Sequence, residues 1–220
     1  AIKKINEIQK RKKIPILVGG TGLYFKALTE GLVEITPIPT KLRNNIRRLQ
    51  KSIGQEKFYK KLLKLDPKII DRIRCTDVQR SIRAYEVKLF TKKSITEWFK
   101  DTRPKYKKNR FLKMYIDYPR PELIEKINFR TKKIIEKGGV LEVKKFLKLR
   151  ISKNKSISKA IGITEIKDFI KKKITKDEVI EKISIKTRQY AKRQATWARG
   201  NMIGWKKIKP KRLNYFLKKI

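Results

Sequence analysis

Residues 14 to 18, Ile14-Pro15-Ile16-Leu17-Val18, form a short continuous apolar run that stops at Gly19-Gly20-Thr21-Gly22 and restarts as Leu23-Tyr24-Phe25-Lys26-Ala27-Leu28. A run of this length suits a strand buried on both faces, and the glycines after it suit a turn into a helix. Strand, glycine turn, helix is the opening of an α/β layer, so this feature restricts the fold more than any other. The turn itself has two readings. Glycines let the backbone approach a ligand while the helix start offers free N–H groups to a phosphate; a tight turn with Thr21 capping the helix needs the same residues. No GxxxxGK[ST] sequence occurs within the 220 residues, so a Walker phosphate loop is not among them.

The rest of the chain alternates in kind. Glu34 to Thr40 carries Pro37 and Pro39 and no helical period, which predicts a linker. From Lys41 to about Lys100 the pattern is helical, with Leu42, Ile46 and Leu49 on one stripe, then Phe58, Leu62 and Leu65, and a break at Asp66-Pro67. Asp101 to Pro104 predicts a second linker, and Phe111 to Asp117 a return to a strand. The expected architecture is therefore an α/β core, residues 1–40 and 105–220, interrupted by a helical lobe at 41–104. Pro121 suits the first turn of a helix over 122–137 that ends at Gly138-Gly139. Thr175-Lys176-Asp177-Glu178 is a capping-box pattern opening a helix over 176–199.

Charge indicates the kind of partner. Lys and Arg number 62 against 20 Asp and Glu, a net charge of +42 spread through almost every segment. Part of that excess is compositional bias, as in any chain rich in Lys and Ile. The remainder calls for a polyanion, and nucleic acid fits better than a membrane surface, which is more often met by one basic helix or cluster. No apolar run approaches the ~20 residues that cross a bilayer. The single cysteine, Cys75, has no partner for an internal disulfide, so a cytoplasmic protein is expected. With no His in the chain, Cys75 has no imidazole to activate it, and no His/Cys metal cluster exists.

Three further patterns carry chemistry. On helix 122–137 Arg130 falls on the stripe of Leu123, Ile127 and Ile134, where it either meets an anion or lays its stem over apolar surface. On helix 176–199 Val179, Ile183, Tyr190 and Trp197 take one side, while Arg188, Lys192 and Arg199 take the other around Ala195. That basic face either receives a nucleic-acid backbone or is simply solvated. Asp77-Val78-Gln79-Arg80-Ser81-Ile82-Arg83 puts an amide and two guanidiniums at a helix start, a set able to read or brace a base.

Three segments occur in the order seen in bacterial tRNA dimethylallyltransferases, which the chain resembles over nearly its whole length. They are Pro15 to Tyr24, then Asp77-Val78-Gln79-Arg80 with Arg83-Ala84-Tyr85-Glu86-Val87, then Thr187-Arg188-Gln189-Tyr190-Ala191-Lys192-Arg193-Gln194-Ala195-Thr196-Trp197. The last is the most specific, and Lys159-Ala160-Ile161-Gly162-Ile163 adds to the match. The resemblance implies a partial P-loop-NTPase-like core, with a parallel sheet and helices, and an inserted all-helical lobe. It also implies transfer of a dimethylallyl group from its diphosphate, with Mg²⁺, to N6 of the adenosine 3′ of the anticodon. Carried over by position, Gly19, Gly20 and Thr21 with Arg130 would hold the diphosphate, Thr21 and Arg130 acting on the departing charge. The anticodon stem-loop would be met by Arg43, by Gln79, Arg80, Ser81, Ile82 and Arg83, and by Lys159, Ala160, Ile161, Gly162, Ile163 and Thr164. Its remaining contacts would be Lys192, Arg193, Gln194, Ala195, Thr196, Trp197, Ala198 and Arg199.

Where the chain departs from the family, the departures set further expectations. The family's opening phosphate loop, and the Asp that takes the N6 proton, have no counterpart here, so the expectation is a transferase fragment, entered partway through a domain and inactive alone. The rival is a non-catalytic RNA-binding protein that keeps the tRNA surfaces. Tyr85 replaces a usual Leu and Lys93 a common Gly, changes of packing or turn. A monomer is expected.

Overall fold

The computed structural model describes residues 1–104, 106, 110–152 and 155–218. It divides into two compact units, Ala1–Gly22 with Leu112–Ile220, and Leu23–Phe111. The second is wider than the 41–104 lobe read from the sequence.

The helical unit is built from α2 (Gly22–Glu30, entered at Leu23), α3 (Thr40–Ile53), α4 (Gln55–Leu65), α5 (Val78–Thr91) and α6 (Ile95–Lys100). Apolar residues at helical spacing close its core: Phe58 and Leu62 of α4 are fully buried, as are Ala84 and Val87 of α5 and Ile69 of the single turn Pro67–Ile69. The proline stretch is anchored, because Ile38 joins the cluster of Leu62, Ile69 and Ile73. Tyr85 packs into this unit with its ring 5.1 Å from that of Phe58. Lys93 pairs with Asp101 and lies over the Trp98 ring, so it braces the end of α6.

The other unit runs α1 (Ile2–Lys10), β1 (Met114–Ile116), α7 (Arg120–Ile134), α8 (Val140–Lys148), α9 (Ile163–Ile170), α10 (Lys176–Asn201), β2 (Lys206–Ile208) and α11 (Leu213–Leu217). β1 and β2 pair in parallel, Met114 opposite Lys206 and Ile116 opposite Ile208, with α7, α8, α9 and α10 between them in the chain. The class is α/β, helix-rich with a small parallel sheet. Ile135, Val143, Ile166, Val179 and Ile183 form its core. Gly138, at φ +100°, takes the left-handed conformation that breaks α7 from α8 at the expected glycine pair.

The apolar run departs from its expected form. Ile14 to Val18 is not a buried strand: the run has no regular secondary structure, and Val18 is 89% exposed. A strand needs ladder partners, and among the described residues this run pairs with neither β1 nor β2. Conversely β2, whose residues are mostly lysine, was not legible. It forms because Lys206 N–H donates to the Lys113 carbonyl and Asp117 N–H to that of Ile208, both at 3.0 Å.

Candidate functional site

In the α/β unit the glycine turn is held by α10. The Gln194 side-chain amide donates to the Gly20 carbonyl at 2.9 Å, and a Cβ on Gly22 would lie 1.9 Å from the Trp197 ring. Gly22 is thus required for close packing on this helix, while a Cβ on Gly20 would meet the movable end of Gln194. Thr21 is exposed, and among the described residues its hydroxyl makes no hydrogen bond, so it is not spent on capping α2. Trp197 does face inward, but Tyr190, expected beside it, is 41% exposed with the Arg193 guanidinium over its ring at 5.8 Å. Lys192, Arg193, Thr196 and Arg199 are exposed along the same half of α10, with Gln194 and Ala195 half-buried and Ala198 buried. Arg188 is half-buried.

Arg130 is not on the inward stripe of α7. The buried residues there are Ile127 and Thr131, continuing to Ile135, an i, i+4, i+8 line. Arg130 precedes Thr131 by one residue, so it projects about 100° away from the packed line and is exposed. Ile134, also expected inside, is 41% exposed for the same reason. Among the described residues Arg130 enters no ion pair, and its head is available to a ligand.

The segment Lys159 to Thr164 forms the entry to α9. Gly162, buried and at φ +105°, donates its N–H to Glu165 Oε2 at 2.9 Å, while Lys186 of α10 pairs with the other oxygen of Glu165. Burial pushes the Glu165 carboxyl up, but the Lys186 hydrogen bond, the backbone N–H groups of Glu165 and Gly162, and the Lys186 charge outweigh it, leaving it below the ordinary carboxylate range. Lys159, Ala160, Ile161 and Thr164 are exposed and Ile163 half-buried. Glu165 and Lys186 escaped the sequence reading, although the spacing from Gly162 to Glu165 has the form of a capping box.

The helical unit carries the remaining candidates. Asp77 caps α5 by accepting from the Arg80 N–H at 3.0 Å and pairs with the Arg80 guanidinium at 3.2 Å. Gln79 and Arg80 are exposed and line an open groove of about 540 Å³ with Arg72, Arg74, Thr76 and Asp77. Ser81 and Ile82 turn inward: the Ser81 hydroxyl donates to the Asp77 carbonyl at 2.8 Å, and Ile82 packs with Ile46 and Phe58. Arg43 and Arg83 are half-buried, both directed at Glu86. Cys75 is half-buried, its carbonyl held by the Gln55 amide at 2.6 Å.

No three His, Cys, Asp or Glu come together among the described residues in a way that could hold a metal ion. The Mg²⁺ expected with a prenyl diphosphate therefore meets no cluster of three carboxylates among these residues.

The family model described as IPP transferase matches residues 1–201. The tRNA dimethylallyltransferase of Pelagibacter ubique is 56% identical over 219 residues, covering 100% of this chain and 70% of the relative. That of Agrobacterium fabrum is 37% identical over 208 residues, covering 94% and 70%. Among solved structures, the tRNA isopentenylpyrophosphate transferase of Staphylococcus epidermidis superposes with a TM-score of 0.58 at 26% identity, covering 99% of this chain and 71% of that one. A eukaryotic dimethylallyltransferase acting on tRNA gives 0.71 at 26% identity, covering 90% and 50%. With a family model matched over residues 1–201 and a relative this similar along the whole of the present chain, the chain belongs to the IPP transferase family, a family of enzymes.

Proposed function

We propose that these residues serve transfer of a dimethylallyl group from its diphosphate to N6 of the adenosine 3′ of the anticodon in tRNA. One observation carries this reading: a single helix, α10, both pins the glycine turn that presents Thr21 and displays Lys192, Arg193 and Arg199 to solvent. The element suited to a diphosphate and the element suited to an RNA backbone are thus parts of one rigid arrangement, as alignment of two reactants demands. Thr21 donates its hydroxyl to the diphosphate as negative charge grows on the leaving oxygen, and the free head of Arg130 neutralises the same group. In the helical unit Gln79 and Arg80 meet a base drawn from its stack, and Arg43 and Arg83 meet phosphates. The chain acts as a monomer in the cytoplasm.

The 220 residues contain no GxxxxGK[ST] loop, so they are expected to bind both substrates with little turnover unaided. The test uses labelled dimethylallyl diphosphate and an anticodon hairpin. It compares the 220-residue chain with a chimera carrying the phosphate-loop segment of the Pelagibacter relative. Transfer by the chimera and binding by both is the expected result. Hairpin binding with an inactive chimera would support the rival, a non-catalytic RNA-binding protein. Binding of neither substrate would overturn the reading.

A further inference from the structure

Glu86 has no task in the reaction just described, yet its side chain on α5 is 2% exposed and is met by three guanidiniums. Arg43 Nε and Arg47 Nε of α3 lie 3.4 and 3.8 Å from its oxygens, and Arg83 Nη1 of α5 lies at 3.5 Å. Burying a carboxylate demands compensation, but one cation placed well would provide it; three against one leave two positive charges in excess. The donors are hardly consumed. Only Arg83 meets Glu86 as a hydrogen bond, and Arg43 Nε and Glu86 Oε1 have no hydrogen-bond partner. Each guanidinium has five N–H groups in a planar fork, so most of them remain for another anion, on side chains that are 42 to 51% exposed.

Beside this cluster Arg47 also lines an open groove of about 650 Å³ along α3 and the start of α5, together with Arg48, Lys51, Asn44 and Gln79. No Asp or Glu is in its lining. An open groove with several cations and amides beside Val78 and Ile82 fits a chain of phosphates carrying bases, and lacks the enclosure a small ligand requires.

We propose that Glu86 is a positioning residue, holding Arg43, Arg47 and Arg83 as a preset fork for successive backbone phosphates of RNA at the α3–α5 groove. The proposal rests on the reading that the chain binds tRNA. A fork already ordered by a buried carboxylate loses less side-chain freedom on binding than three loose arginines would.

The test exploits a reversal of sign. Glu86→Gln keeps the size of the side chain and makes the protein more positive, so overall charge alone would tighten RNA binding. The fork instead requires weaker binding, on the order of tenfold, and a shallower dependence of log K on log salt. Affinity of the 220-residue chain for an anticodon hairpin is measured at several salt concentrations, beside thermal melting. Glu86→Asp should recover part of the loss. Arg47→Ala should weaken binding by itself and add little in the Glu86→Gln background, the coupling expected of residues acting as one unit. Should Glu86→Gln fail to fold, Arg43→Ala, Arg47→Ala and their double decide, the fork requiring non-additive losses and independent cations additive ones. Unchanged or tighter binding by folded Glu86→Gln, or additive losses, would overturn the fork while leaving the tRNA reading intact. No hairpin binding by the unaltered chain would overturn both.

Discussion

The side-chain amide of Gln194 donates a 2.9 Å hydrogen bond to the carbonyl oxygen of Gly20, 174 residues earlier in the chain. One turn further along the same helix the Trp197 ring fills the space that a side chain on Gly22 would need. The two readings of the glycine turn therefore separate by residue. Gly20 and Gly22 are set by close approach to α10, and Thr21 is left outward with its hydroxyl unspent.

Gly22→Ala should be the costlier of two alanine substitutions in this turn. Its Cβ would meet a rigid indole at 1.9 Å, so helix or turn must move, an overpacking cost of about 1–3 kcal/mol. Gly20→Ala meets the Gln194 amide at 2.3 Å, the far end of a flexible side chain that can swing aside for less than about 1 kcal/mol. Urea melts rank the pair. Adding Trp197→Ala to Gly22→Ala should return part of the loss, and a strictly additive double would show that the ring is not the obstacle.

Thr21→Val and Arg130→Ala should separate ligand binding from stability. Both residues are exposed, so each change should leave the melting free energy within about 0.5 kcal/mol. Loss of a hydrogen bond to a charged diphosphate is worth about 1.5–3 kcal/mol, or roughly 10- to 150-fold in donor binding or transfer. Donor titrations with hairpin affinity measured in parallel check this. Weakened hairpin binding with unchanged donor affinity would make Arg130 an RNA-facing residue.

Glu165 gives a pH dependence of known sign. Its carboxyl is held below the ordinary value, so its contribution to stability is complete above the unfolded pKa of about 4.3 and is lost as pH falls through the folded pKa. The stability gap between the native chain and Glu165→Gln should be open at neutral pH and close below about pH 4. Glu97 and Glu178 are also lowered, each by a hydrogen bond first, from Lys68 and from the Thr175 backbone respectively. The difference from Glu165→Gln cancels their share. A gap that persisted unchanged in acid would mean that the Lys186 pair does not stabilise the entry to α9.

Local signals were legible and tertiary ones were not. The capping box at Thr175 forms as read, Thr175 N–H donating to Glu178 Oε2 at 2.7 Å and Glu178 N–H to the Thr175 hydroxyl at 3.2 Å, because both partners lie within one turn. The apolar stripes of α3 and α4 likewise mark their buried faces through Ile46, Phe58 and Leu62. Arg130 and Ile134 were misjudged because periodicity locates a stripe only to within one residue's rotation, and which edge of the stripe packs depends on the neighbouring helices. Ile14 to Val18 failed for a related reason, since an apolar run shows capacity for a ladder without supplying the partner strand. Glu86 was invisible as a site because its meaning lies in Arg43 and Arg47, about forty residues away and joined to it only by the packing of α3 on α5.

The exposed cations of α10 should act on RNA as independent phosphate contacts. Lys192 and Arg199 lie seven residues apart on the helix, and neither enters an ion pair among the described residues. Seven residues span about 10 Å of helix, close to the Debye length at 0.1 M salt, so each responds mainly to its own phosphate. Lys192→Ala and Arg199→Ala should each weaken an anticodon hairpin and an unrelated hairpin of equal length to the same degree, since a phosphate contact carries no sequence information. Each should lower the slope of log K against log salt by about 0.7 to 1, and the double by about twice that. This additive behaviour is the opposite of that required of Arg43 and Arg47, which share one carboxylate, so the two basic surfaces can be told apart in one assay. Hairpin titrations across a salt series make the measurement. A loss confined to the anticodon hairpin would identify Lys192 or Arg199 as a base-reading residue.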